Sequence, residues 1–288
     1  MAERAEPGPT GASPCSSWES VAASDNAMSN PEVTLVRDGH VAVLTLDDRA
    51  RKNAMTVALG DALRARVDEL READWVRAVV LYGTGGTFSG GGDLAMLERL
   101  RALPPQETEA FMLGFYARYL SVTTLGVPTI AAIHGAAIGA GLAVAMACDF
   151  AIVDEDAKLA LNFVQLGLHP GMGSTYLAPL RAGSMRGAEL LLTGRRFDGR
   201  EAARLGIALD AVPSADVVPR AMTLAHAIAQ NAPLAVAGLK RGLGVDRVAL
   251  DRALAHEARE QAISYASADL GEGLLAATER RKPVFTGG

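Results

Sequence analysis

Cysteine is nearly absent from this chain of 288 residues: Cys15 and Cys148 are the only two. Two cysteines make no disulfide framework, and Cys148, inside an apolar run, reads as a small buried hydrophobe. Histidine is sparse as well. Its five residues are scattered and no HExxH occurs, so no metal site is expected. Positive charge is not in excess, with 28 Lys and Arg against 33 Asp and Glu, a net charge of -5. That balance, with no long basic run, argues against a nucleic-acid surface. The uncharged run from Gly135 to Cys148 has 14 residues, whereas a membrane-spanning helix needs about 20. The start, MAERAEPGPTGASP, is polar and lacks the apolar segment of a signal peptide. The expectation is a cytoplasmic protein with neither a nucleic-acid nor a membrane partner. Two nucleotide-binding signatures are missing too: no GK[ST] follows the glycines at 90–92, and G-x-G-x-x-G spacing is absent there.

What is present is a chain long enough for one large core, or a core with a smaller helical appendage. Residues 1–30 carry Ser, Ala, Gly and Pro without periodicity and read as a disordered extension; Met28 is a possible natural start. Strands are expected at 41–46, 76–81, 129–133 and 149–153, with Gly39 and His40 forming a hairpin turn before the first. A helix over 55–72 places Leu59, Leu63, Val67 and Leu70 on one side. Further helices are expected at 95–104, 108–124 and 174–180. The second carries Phe111, Met112, Phe115, Tyr116, Tyr119 and Leu120, a stripe that suits either core or pocket. After Gly183 the pattern is almost wholly helical: 185–192, 199–205, 217–230, 233–241, 246–268 and 272–280. Asp246 is a plausible N-cap, and Leu250, Leu254, Ala258 and Ile263 form the apolar stripe of the helix it starts. A β/α core with a helical tail results.

Two glycine-rich stretches carry the chemistry. AAIHGAAIGAGLAVAMACD, from Ala131 to Asp149, runs from a strand through a turn into a helix with almost no side chain at its start. Helix-start N–H groups lack intrahelical partners, so an anion or developing oxyanion can sit there; close packing of a buried helix explains the same residues. GTGGTFSGGGD, from Gly83 to Asp93, can turn backbone N–H groups inward or be an ordinary turn.

The motifs LTLDDRARKNAM, FSGGGDL at 88–94, PTIAAIHGAAIGAGLAVAMACDF at 128–150, LGLHPGMGSTYLAPL at 166–180, ELLLTGRRFDGREAARLGI at 189–207 and RKPVFTG at 281–287, in this order and spacing, resemble the crotonase superfamily, the enoyl-CoA hydratase/isomerase family. The resemblance implies an α/β fold: a crotonase-like ββα superhelix core over 31–183 and a C-terminal helical trimerisation region over 184–288. It implies an acyl-CoA substrate, with coenzyme A as part of that substrate and no permanently bound cofactor, and a homotrimer or dimer of trimers. It puts two oxyanion-holding backbone N–H groups at Gly92 and Ala140. Gly90, Gly91, Asp93, Leu94, Gly135 and Ala136 would lie along the substrate. Ala50, Arg51, Lys52 and Ala54 would lie near the CoA, and Lys282 would reach a phosphate.

One departure stands out. The family's two hydratase glutamates match Ala143 and Phe163 here, and neither side chain transfers protons. Standard hydration, and isomerisation by a single glutamate, are therefore not expected. Asn162 is adjacent but does not titrate usefully. His169 is either the best remaining base or a structural or surface residue, Tyr116 and Tyr119 are candidate hydroxyls in the acyl pocket, and His134 suits a structural hydrogen bond. Two readings follow: an enzyme that stabilises a thioester enolate or oxyanion without being a standard hydratase, or an inactive acyl-CoA-binding or scaffold protein with the same fold.

Overall fold

The computed structural model describes residues 31–288; the expectations for residues 1–30 lie outside them. Strands β1 (Glu32–Asp38) and β2 (Val41–Asp47) form an antiparallel hairpin around Gly39, whose φ of +62° suits glycine. Helix α1 (Val57–Arg71) starts where the Thr56 hydroxyl accepts from Leu59 N, and it buries Leu59, Leu63, Val67 and Leu70. There follow β3 (Ala78–Gly83), α2 (Leu94–Leu100), α3 (Pro105–Tyr119), β4 (Thr129–Ile133), β5 (Ala136–Ile138), α4 (Ala140–Ala147), β6 (Phe150–Asp154) and β7 (Lys158–Ala160). Next come α5 (Ser174–Ala182), α6 (Ser184–Thr193), β8 (Arg196–Phe197), α7 (Gly199–Leu205) and β9 (Asp210–Val212). The chain then continues through α8 (Val217–Ala229), α9 (Pro233–Leu243), α10 (Arg247–Tyr265) and α11 (Ala268–Glu279).

The main sheet has the order β1-β2-β3-β4-β6-β9 and is parallel from β2 onward. A parallel sheet must be covered on both faces. Alternation along β4 serves this: Ala131 and Ile133 join the larger core, while Ile130 and Ala132 join a second one with Val217, Ala221 and Ala225 of α8. The expected division at residue 183 is therefore not a boundary. Residues beyond it supply β9 to the main sheet and α8 to its second face. A small second sheet has the order β5-β7-β8. Among the described residues no helix is long and apolar enough to cross a membrane.

Helix α10 lies against the core through an unexpectedly polar stripe. Leu250, Leu254 and Ala258 are buried as expected, but Ile263 is 61% exposed. Glu257 and Gln261 are buried instead. The Glu257 carboxylate accepts from Gly173 N (2.6 Å), Thr175 N (2.7 Å) and Thr175 Oγ1 (2.6 Å), tying α10 to the first turn of α5. Gln261 accepts from the Tyr116 hydroxyl (2.7 Å) and donates to His169 O (2.8 Å).

Burial pushes the Glu257 carboxyl up to about 7 against these three donors. The folded state thus holds the proton more tightly than the unfolded chain. Stability from this group is full below the unfolded carboxyl range and falls as pH rises towards 7. Urea denaturation at pH 5 and pH 8 should show the wild type losing up to about 3 kcal/mol more than Glu257→Gln over that interval. Equal pH slopes in the two proteins would contradict this.

Candidate active site

Three segments are braided at one end of the main sheet. The loop after β3 pairs with β5: Ser89 N donates to Ala136 O and Ile138 N donates to Ser89 O, each at 3.1 Å. The same loop pairs with the segment after β2, through Gly90 N to Lys52 O (2.8 Å) and Met55 N to Gly91 O (2.7 Å). Ser89 joins all three. Its hydroxyl donates to Asn53 O (2.8 Å) and accepts from Gly91 N (3.2 Å). The approach demands glycine at two points. A Cβ on Gly91, whose φ is +93°, would lie 2.7 Å from Ile138 O. A Cβ on Gly141 would lie 2.6 Å from Ser89 Cβ. Asn53 locks the outer segment: its side chain accepts from Asp48 N and donates to Thr84 O and Thr87 O.

The braid brings Gly92 and the start of α4 to the wall of one cavity of about 250 Å³. Gly139 caps α4 with a φ of +52°, so Ala140 is its first helical residue. An N–H at that position has no intrahelical partner, and neither Gly92 N nor Ala140 N donates to another backbone group among the described residues. The rest of the wall is apolar, from Leu97, Met112, Phe115, Leu166 and Met172 among others. Its polar side chains are Asn162, Tyr116, Gln261 and Tyr265; no Asp, Glu, His, Lys or Arg contributes. Tyr116 and Gln261 satisfy each other (2.7 Å).

The structure gathers Gly90, Gly91, Gly92, Leu94, Ala140 and Phe163 around this cavity. Other candidates stand outside its wall. Asp93 turns away to cap α2, accepting from Met96 N at 2.7 Å. Ala143 is wholly buried behind the wall. Gly135 and Ala136 sit earlier in the braid: Lys158 N donates to Gly135 O at 2.7 Å. Ala50, Arg51, Lys52 and Ala54 form the adjoining outer loop; Lys52 is exposed and Arg51 is paired with Asp48 (3.2 Å). Lys282 is exposed in a tail whose Thr286 N and Gly287 N are held by the Asp269 carboxylate (2.7 and 3.0 Å).

Two more candidates also stand away from the wall. His169 does not line the cavity. Its Nδ1 lies 2.7 Å from Pro170 O, its ring meets His256 edge-on, and burial lowers its basicity. The Tyr119 hydroxyl donates to Thr56 O (2.6 Å) and serves the core. His134 packs against Tyr82, also away from the cavity.

The family model for enoyl-CoA hydratase/isomerase matches residues 37–288. The chain belongs to this family. It is 36% identical over 252 residues to a candidate enoyl-CoA hydratase of Thermus thermophilus, covering 87% of this chain and 99% of the relative. EchA1_1 from Mycobacterium paratuberculosis superposes with a TM-score of 0.78 at 32% identity, over 90% of this chain and 99% of that one. A variant of the ECH2 decarboxylase domain of CurF from Lyngbya majuscula superposes with a TM-score of 0.76 at 25% identity, over 85% and 98%.

For this hydratase/isomerase-family chain, sequence reasoning missed Ser89, Gln261 and Tyr265. Ser89 left a signal, being the one hydroxyl inside FSGGGD. The other two lie on α10 outside the stripe of Leu250, Leu254, Ala258 and Ile263 read as its buried face. Ser89→Ala strands the Asn53 carbonyl and the Gly91 N–H in the braid. It should destabilise the protein by about 1–3 kcal/mol in urea titrations; no measurable loss would show that the hydroxyl does not brace these segments.

Proposed function

We propose that this chain binds acyl-CoA thioesters with the acyl group in the apolar cavity and the thioester oxygen on Gly92 N and Ala140 N. One observation carries this reading: Gly92 and Ala140, whose N–H groups donate to no other backbone group among the described residues, line one largely apolar cavity next to the outer loop over 50–54. Amides fixed in a water-poor site cost no reorganisation as negative charge develops, and each is worth roughly 3–4 kcal/mol in a transition state. CoA itself would lie over Lys52 and the adjoining loop, with Lys282 reaching a phosphate; it enters as part of the substrate.

The reaction is not standard hydration. That chemistry needs a carboxylate within reach of water and the α-carbon. Here the two positions hold Ala143 and Phe163, and the Phe163 ring borders the cavity instead. A reaction that forms the enolate without removing a C–H proton fits such a wall. Loss of a carboxyl group is one: the C–C bond breaks, CO2 leaves, and the electron pair passes into the thioester as an enolate that solvent protonates. The likeness to a domain named as a decarboxylase supports this class. Pure acyl-CoA binding is the second reading, supported by the same lack of titratable side chains.

Assembly as a homotrimer, or a pair of trimers, belongs to this proposal. Helix α9 buries none of its residues, and Leu234 and Leu243 on it are 88% and 81% exposed, an apolar face that a second copy would cover.

A panel of 2-enoyl-, 3-hydroxyacyl- and malonyl-type CoA esters, read by binding and by product mass, tests the site. Binding is expected, rapid hydration of crotonyl-CoA is not; failure of every ester to bind would refute the assignment. Ala140→Pro removes one donor where proline is tolerated, at the first helical position. It should lower any turnover roughly 100-fold or more with little loss of stability. His169→Ala should change turnover less than about three-fold, because the ring stands outside the cavity. Sedimentation should give a trimer or hexamer, and Leu239→Glu on the exposed face should dissociate it; a wild-type monomer would contradict the assembly.

A further inference from the structure

Three side chains of α10 grip one turn of the cavity wall. The turn runs over 169–175, and its Gly171 and Met172 line the cavity. Met172 holds a φ of +62°, in the left-handed region that a residue with a Cβ rarely adopts, so its surroundings must fix it there. On one side of Met172, Gln261 donates to His169 O at 2.8 Å and Ser264 Oγ accepts from His169 N at 3.1 Å. The turn lies close against the helix: a Cβ on Gly171 would be 2.6 Å from Gln261 Nε2. On the other side, the Glu257 carboxylate takes Gly173 N on one oxygen and Thr175 N and Oγ1 on the other. Gly173, the N-cap of α5, has no side chain to cap that helix, and the carboxylate from α10 does so in its place. Glu257 is fully buried.

We propose that Glu257 is a positioning residue for the acyl cavity: its ionised carboxylate holds the turn carrying Met172 in the geometry that binds substrate, so acyl-CoA affinity depends on the charge of Glu257. The inference rests on the acyl-CoA reading above and adds a pH dependence to it. The three donors give the direction. A carboxylate accepts on both oxygens, whereas a carboxylic acid carries a proton on one of them. The Thr175 hydroxyl can rotate to accept that proton. The N–H groups of Gly173 and Thr175 cannot, so protonation weakens the hold on at least one of them. Burial favours the neutral acid and the donors favour the carboxylate, a balance that leaves the group at about 7. Binding that needs the carboxylate lowers its proton affinity in the complex. Affinity is therefore full above about 7 and falls as pH drops through it. The groups facing Glu257 do not titrate in this range. Tyr116 of α3 is a phenol kept neutral by burial. No charged side chain of the turn, of α5 or of α11 acts on it. His169 and His256 face each other and Glu260 instead.

Dissociation constants of hexanoyl-CoA, measured over the pH range about 5.5 to 8.5 on the full-length protein, test this in the wild type, Glu257→Gln and Thr175→Val. Titration of the ligand and of the two histidines is common to all three and cancels in their ratios. Relative to Glu257→Gln, the wild type should bind roughly ten-fold tighter at the alkaline end and lose that advantage towards the acid end. Thr175→Val removes one donor to the carboxylate and should move the midpoint up by roughly one pH unit. Unfolding does not mimic this loss, because the contribution of Glu257 to stability grows as pH falls. Parallel pH profiles in the wild type and Glu257→Gln, equal affinities at the alkaline end, or an unmoved midpoint in Thr175→Val would overturn the inference while leaving the acyl-CoA site intact. Hydrogen exchange at Gly173 and Thr175 in the ligand-free protein gives an independent readout. After correction for intrinsic rates, protection should rise with pH in the wild type and stay level in Glu257→Gln; level protection in both would show that the charge does not hold the turn. Failure of the ester to bind at any pH would instead refute the acyl-CoA reading, and the affinity dependence with it.

Discussion

Ser89 is the point on which the rest of the site depends. Its backbone pairs with Ala136 and Ile138, and its hydroxyl reaches Asn53 O and Gly91 N. Those bonds set the loop carrying Gly92 against the helix that begins at Ala140. Neither amide has a side chain to aim it, so its direction is wholly a property of the backbone that holds it. The glycines at 91 and 141 are consequences of this constraint: a Cβ at either place would meet Ile138 O or Ser89 Cβ at under 3 Å. The small second sheet, β5-β7-β8, has the same purpose, since β5 is the strand that leads directly into the helix start.

The cavity these segments border combines polarising power with chemical poverty. Fixed amides act strongly in a low-dielectric space, and unpaired polar groups are costly there for the same reason. The wall accordingly holds apolar side chains, neutral amides and two phenols kept protonated by burial. On the reading proposed above such a site would lower the energy of an oxyanion, and its wall has no carboxylate or imidazole to move a proton. The titratable groups nearby are structural. Glu257 is spent on Gly173 and Thr175, and His169 faces Pro170 and His256. Helix α10 borders the cavity through Gln261 and Tyr265, so the region expected to serve assembly also shapes the pocket.

The sequence made most of the large elements legible because they obey a clear period. The buried strand at 129–133 and the Leu59-Leu63-Val67-Leu70 face of α1 fall where the pattern places them. The shared location of Gly92 and Ala140 at one cavity was implied by the resemblance to the crotonase superfamily. Short pieces were not legible. Strands β5, β7 and β8 have two or three residues each, too few to show a period of two, and β9 was hidden in a stretch read as helical. The helix expected over 246–268 stops at Tyr265, because the Ser267 hydroxyl caps the next one by accepting from Leu270 N. The buried face of α10 was misjudged for one reason. Glu257 and Gln261 occupy core positions by virtue of partners more than 80 residues away in sequence, and no local pattern announces them. For His169 the sequence left a base and a structural residue both open: a histidine in a glycine-rich turn looks available until its neighbours in α10 are seen.

The central claim is that Gly92 N and Ala140 N polarise a thioester carbonyl. The direct measurement is the carbonyl stretch of an acyl-CoA labelled with carbon-13 at the thioester carbon, recorded by infrared difference spectroscopy on the saturated complex. The account predicts a clear shift to lower wavenumber on binding, largely reversed in Ala140→Pro. A carbonyl that binds at full occupancy with its solution frequency unchanged would contradict it.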